Sequence, residues 1–174
     1  MTKFDLSVDF SRGWCTLRLS EDETSIEISS HTLQDSFSEL VHIVAELSKG
    51  WQCVSCRWAR EISGGYYIDL CLDPAGYVNI AIHEAAASNE SNTYQEAWSP
   101  MRRRAVFTAR VALGSFLTLF SNSLRKIRTS WTDTAGYIPE WGWNYPTSDA
   151  EEIERQAKRY GYKPAGVAGT RAGQ

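Results

Sequence analysis

Tyr66-Tyr-Ile-Asp-Leu-Cys-Leu-Asp73-Pro-Ala-Gly76-Tyr77-Val-Asn-Ile-Ala-Ile-His83-Glu84 holds two strands and the turn between them. Ile68, Leu70 and Leu72 recur at every second position, as do Val78, Ile80 and Ile82, and that period is the signature of a half-buried strand. Asp73-Pro74-Ala75-Gly76 turns the chain, because proline presets φ and glycine tolerates a positive one. Upstream, Val54, Cys56 and Trp58 predict a third strand, so residues 54–85 read as an antiparallel meander. A change of period precedes it. Leu33, Phe37, Leu40, Val41, Val44 and Leu47 follow 3–4 spacing, which predicts an amphipathic helix over about 33–48. Thr32 with Asp35 gives that helix a capping-box-like start, and Gly50 a stop. Further upstream, Phe4/Leu6/Val8/Phe10, Cys15/Leu17/Leu19 and Ile26/Ile28 predict three short strands. Arg12-Gly13 and Glu21-Asp22-Glu23 are the turns joining them.

Downstream, residues 86–99 read as a polar loop. Ser99-Pro100 looks like a cap followed by proline at the first helical position. Val106, Ala109, Leu113, Leu117, Phe120, Leu124 and Ile127 then predict a helix over about 101–128, with Gly114 marking a close crossing. Residues 133–147 form an aromatic loop around Trp141, Trp143 and Tyr145. Ser148 with Glu151 opens a short last helix ending near Gly161. The expected fold is α+β: an antiparallel sheet of about five or six strands against two main helices (33–48 and 101–128) plus a short C-terminal helix. Residues 1–162 form one domain in this reading, and 163–174 a flexible tail.

The chain has 174 residues, 43% hydrophobic and 22% charged, which suits one globular domain and excludes collagen-like or wholly disordered sequence. No apolar run approaches the roughly 20 residues of a membrane helix. The first residues lack a secretory signal, so the expected location is the cytoplasm, with the four cysteines reduced and mostly buried. Net charge is −3, unevenly spread: residues 1–99 carry six Lys/Arg and fifteen Asp/Glu, residues 100–174 twelve and six. An acidic first half argues against a basic nucleic-acid binder and suits a partner with a basic surface. The plainer alternative is that the two halves neutralise each other.

No catalytic or metal motif stands out. Cys53-Val-Ser-Cys56 is a single pair, whereas structural zinc wants four ligands; on a strand, positions three apart also face opposite ways. His42 and Glu46 have the spacing of a surface pair on a helix. Asp69, Cys71 and His83 share the second face of the meander with Arg57, Tyr67 and Tyr77, and are the one constellation from which an enzyme could be built. Met101-Arg-Arg-Arg104 looks like a phosphate patch, although cations oppose the dipole at a helix N-terminus. The Trp141 loop could stack bases or sugars, but such aromatics more often seal a core.

In order, the chain shows strands, a helix begun at Thr32-Leu-Gln-Asp35-Ser-Phe37, a meander, and a long helix. Tyr137…Trp141…Tyr145-Pro146 then precedes the acidic start of a helix, Asp149-Ala-Glu-Glu-Ile153. Over roughly residues 4–160 this layout resembles small bacterial immunity proteins of polymorphic toxin systems, including those of contact-dependent growth inhibition. The resemblance implies a cytosolic protein that binds a cognate toxin domain and blocks it without catalysis or cofactor. The charge arithmetic agrees, since many toxic domains act on nucleic acid through basic surfaces. The carboxylates expected to meet the toxin are Glu21, Asp22 and Glu23 on a turn, Glu61, Asp69 and Asp73 on the meander, and Glu84 near its end. The rival readings are a small hydrolase-like enzyme using Asp69, Cys71 and His83, and an adaptor or chaperone for a secreted effector.

Overall fold

The alternating N-terminal residues build a three-stranded antiparallel sheet in the computed structural model, which describes residues 3–61, 64–87 and 98–161, the side chains at 60, 61, 86, 87 and 98–103 excepted. β1 (Phe4–Ser11), β2 (Trp14–Glu21) and β3 (Thr24–His31) pair in that order. Their register stacks Leu6 on Leu19 and Ile26, Val8 on Leu17 and Ile28, and Phe10 on Cys15 and Ser30. One face is therefore almost wholly apolar. The two tight turns need positive φ, which Arg12, Gly13 and Asp22 adopt.

α1 (Ser36–Ser48) follows, capped by the Asp35 carboxylate, which accepts the Ser38 N–H at 3.1 Å. It begins three residues later than its apolar spacing suggested. Thr32 does not cap it, and Leu33 lies outside the helix, 61% exposed. The second sheet is β4 (Cys53–Glu61), β5 (Gly64–Leu72), β6 (Tyr77–Ala87) and β7 (Trp98–Ala112), antiparallel in that order. Its inner rows are Val54/Leu70/Ile80/Ala109 and Cys56/Ile68/Ile82/Phe107. The sheets meet along β3 and β4 through side chains. Ser30 Oγ donates to the Ala59 carbonyl at 2.6 Å, the Ser36 hydroxyl accepts the Ala59 N–H, and Trp58 Nε1 donates to the Ile28 carbonyl.

The expected helix over 101–128 is instead two elements. Residues up to Ala112 are β7, and only Leu113–Ser130 is helical, as α2. The same residues also carry a strand period: Phe107, Ala109 and Val111 are buried, while Val106, Thr108 and Arg110 are exposed. Pairing with β6 satisfies a row of backbone groups that a helix would leave open, and the arginines escape an unfavourable helix dipole. The Ser99-Pro100 start accordingly lies inside a strand. Seven strands in two sheets thus replace the five or six expected in one, and the α+β class stands. Of the polar loop over 86–99, residues 88–97 lie outside the described residues, as does the tail over 163–174.

α3 (Thr147–Gly161) completes the helical layer. It crosses α2 at Gly114, where an added Cβ would stand 3.1 Å from Tyr160 Cβ. All three helices share one core with the inner faces of both sheets, including Phe37, Val44, Phe116, Phe120, Leu124 and Ile153. Between α2 and α3, β8 (Tyr137–Ile138) and β9 (Trp143–Asn144) form a small hairpin. Among the described residues no helix is long and apolar enough to cross a membrane.

Candidate functional site: an open sheet face and an aromatic corner

The outer face of the four-stranded sheet gathers the polar residues singled out by the meander. Register places Arg57 beside Tyr67 and Tyr67 beside His83, with Asp69 between Ser55 and Ala81. His83 Nε2 stands 3.6 Å from Asp69 Oδ2, each side chain about one-fifth exposed (21% and 20%). Tyr67, Ala59 and Ala85 form a small buried cluster on the same face. Geometry therefore unites Asp69 and His83, but it removes the nucleophile of that constellation. Cys71 is opposite Cys53 in the register and is bonded to it as a cross-strand disulfide. The expectation of four reduced thiols is corrected here: Cys53 is exposed, Cys56 points inward, and only Cys15 and Cys56 are free. Burial pushes both free thiols well above the usual range, which makes them poor nucleophiles and poor metal ligands. Among the described residues no group of three His, Cys, Asp or Glu could hold a metal ion.

The seven carboxylates expected to meet a partner do not form one patch. Asp73 holds the β5–β6 turn: its Oδ1 accepts the Ala75 and Tyr77 N–H groups, and its Oδ2 pairs with the Arg110 guanidinium at 2.7 Å. The Tyr77 N–H and the Arg110 contact hold its carboxyl below the ordinary range. Arg110 in turn lies 3.9 Å over the Tyr77 ring. Glu21 accepts the Arg110 backbone N–H at 3.1 Å and so covers part of the open edge of β7. Asp22 accepts the Lys3 N–H. Glu23 and Glu84 are exposed, whereas the Glu61 side chain lies outside the described residues. Arg104 is exposed on β7, and the rest of the Met101–Arg104 patch falls among side chains outside the described set.

A groove of about 1230 Å³ opens between the β5–β6 turn, the start of α2 and Tyr160. Among the described residues Asp73 is the charged side chain lining it, and that carboxylate is already engaged by the turn and Arg110. Its lining suits no acid–base chemistry.

The aromatic loop docks on the start of α1. Trp141 is fully buried and donates Nε1–H to the capping Asp35 at 3.0 Å, while its carbonyl accepts from Thr32 Oγ1. Trp143 Nε1 donates to the Thr32 carbonyl at 3.0 Å, and Tyr145 OH to the Leu124 carbonyl at 3.1 Å. The Gly13 N–H donates to the Glu140 carbonyl at 2.8 Å, tying in the first turn. The loop seals the core, as the plainer reading of its aromatics expected. His42 pairs with Asp149 on α3 at 3.1 Å, and Glu46, one turn on in its own helix, accepts from Lys49 at 2.7 Å. What sequence reasoning missed is the exposed remainder of this corner: Leu33 at 61%, Trp143 at 39% and Tyr137 at 38%. Leu33 was assigned to a buried helix seam, and only its position ahead of the Asp35 cap could have placed it outside.

No family model, curated protein or solved structure matches the chain.

Proposed function

We propose that the protein is a binding protein that neutralises a cognate bacterial toxin domain by stoichiometric complex formation, in the manner of the immunity proteins it resembles. The reading is supported by the way the charge asymmetry survives folding. Between the acidic first 99 residues and the basic remainder, the Lys/Arg bridges among the described residues are Arg110–Asp73 and Lys126–Asp9. Among the described residues of the first half, Asp5, Asp22, Glu23, Glu27 and Glu84 are exposed, and complementary charge accelerates protein association to as much as about 10⁸–10⁹ M⁻¹s⁻¹ at low salt. The partner in this reading is a protein; a polyanion would be repelled. The hydrolase-like rival loses its thiol nucleophile to the Cys53–Cys71 bond. The adaptor reading differs in one consequence: an adaptor binds without protecting.

The test is co-expression with the toxic domain encoded by the adjacent reading frame. Protected growth together with a 1:1 complex by calorimetry supports neutralisation. A complex without protection favours the adaptor, and no complex sinks the proposal.

A further inference from the structure

Leu33 and Trp143 are exposed on a corner whose backbone is fixed, and the exposed Tyr137 lies on the other face of the β8–β9 hairpin. Trp143 hydrogen-bonds the residue before Leu33, and a Cβ on Gly142 would stand 3.1 Å from Thr32 Oγ1 and 3.8 Å from the Tyr137 hydroxyl. Half-exposed aromatics held rigidly lose little entropy when a partner covers them, which is why such residues anchor protein interfaces. The charge around this corner says what kind of partner fits. Residues 32–42 carry Asp35 and Glu39 and residues 133–149 carry Asp133, Glu140 and Asp149, with no Lys or Arg in either stretch, while Arg12 comes close, its backbone N–H donating to the Glu140 carboxylate at 2.9 Å. These two stretches, far apart in the chain, are folded against each other through Trp141–Asp35, Trp143–Thr32 and His42–Asp149. The corner is thus an apolar anchor flanked by carboxylates, with Arg12 at its margin.

We infer that this corner, formed by the start of α1 and the β8–β9 loop, is the docking surface for a basic protein domain, with Leu33 and Trp143 entering an apolar depression ringed by lysine and arginine. The inference deepens the neutralisation reading and rests on it. It moves the principal contact away from Glu23 and Glu84. Nucleic acid and anionic lipid are both repelled by the same carboxylates.

The probe is the toxic domain encoded by the adjacent reading frame, titrated at low and at physiological salt against Leu33→Ser, Trp143→Ala, Glu39→Gln and the control pair Glu23→Gln and Glu84→Gln. Leu33 is 61% exposed, and circular dichroism melting checks that both the Leu33 and the Trp143 variants keep the fold. The expected result is a loss of roughly tenfold or more in affinity for the Leu33 and Trp143 variants. A smaller loss for Glu39→Gln should shrink as salt rises, and the controls should match the parent. If the parent binds and the corner variants bind equally well while the controls weaken, the corner is wrong and neutralisation stands. If the parent does not bind, both fall.

Discussion

Asp73 shows how much one side chain settles. Its two oxygens close the β5–β6 turn through the Ala75 and Tyr77 N–H groups and hold Arg110 across the sheet. The Tyr77 N–H and the Arg110 guanidinium hold the folded carboxyl below its ordinary value. Its stabilisation is therefore fully present above that value and is lost as pH falls through the lower folded one. Asp73→Asn should lower the melting temperature at neutral pH, and the difference from the parent should shrink as pH falls through the titration of the folded carboxyl, where its charge is lost. A constant gap across pH would contradict the assignment. At Cys53 and Cys71 the expectation is chemical. The chain denatured without reductant should titrate two thiols, Cys15 and Cys56, and the native chain almost none, because both are buried. Reduction should cost about 2–3 kcal/mol in a denaturant melt, as for a loop of this length. Four thiols in the oxidised, denatured chain would remove the disulfide from the account.

At the scale of elements, the aromatic loop acts as a plug. Trp141 fills the space near Phe10, at 6.0 Å between ring centroids, and carries one of the bonds to Asp35. Trp141→Ala should cost about 3–5 kcal/mol, the range for large-to-small changes at buried aromatics, read as a shift of the urea midpoint. A change near zero would mean that the loop does not seal the core. Most elements were legible because their signals are local: period two in β1 to β6, 3–4 spacing in α1, and Asp-Pro-Ala-Gly at the turn. The junction at Ala112 was not. Val106, Ala109 and Leu113 fit a helix seam, Phe107, Ala109 and Val111 fit a strand, and the open edge of β6 decides between them. That edge lies about thirty residues away in the chain, beyond the reach of a local pattern. The Cys53–Cys71 pairing was hidden for a related reason, since it depends on the strand register. Gly114 was readable as a crossing because a missing side chain is a local fact, although its partner Tyr160 was not.

Across the whole molecule, folding sorts the charge in a way that a half-by-half count conceals. Asp149 of the second half pairs with His42 on α1 and Glu140 meets the first turn, while Lys126 on α2 lies 3.7 Å from Asp9 and Arg110 on β7 holds Asp73. Of the seven carboxylates expected to bind, Asp69, Asp73, Glu21 and Asp22 are engaged within the fold. The carboxylates that stay exposed are the ones a basic partner would neutralise. The candidate corner was invisible in sequence because Leu33 and Trp143 are 110 positions apart and only the docking of the loop on Thr32 unites them. The most direct measurement is calorimetric titration of the toxic domain encoded by the adjacent reading frame, repeated across ionic strengths. The account predicts one-to-one stoichiometry and an affinity that falls steadily with salt. No heat at any salt, or binding that strengthens as salt rises, would contradict it.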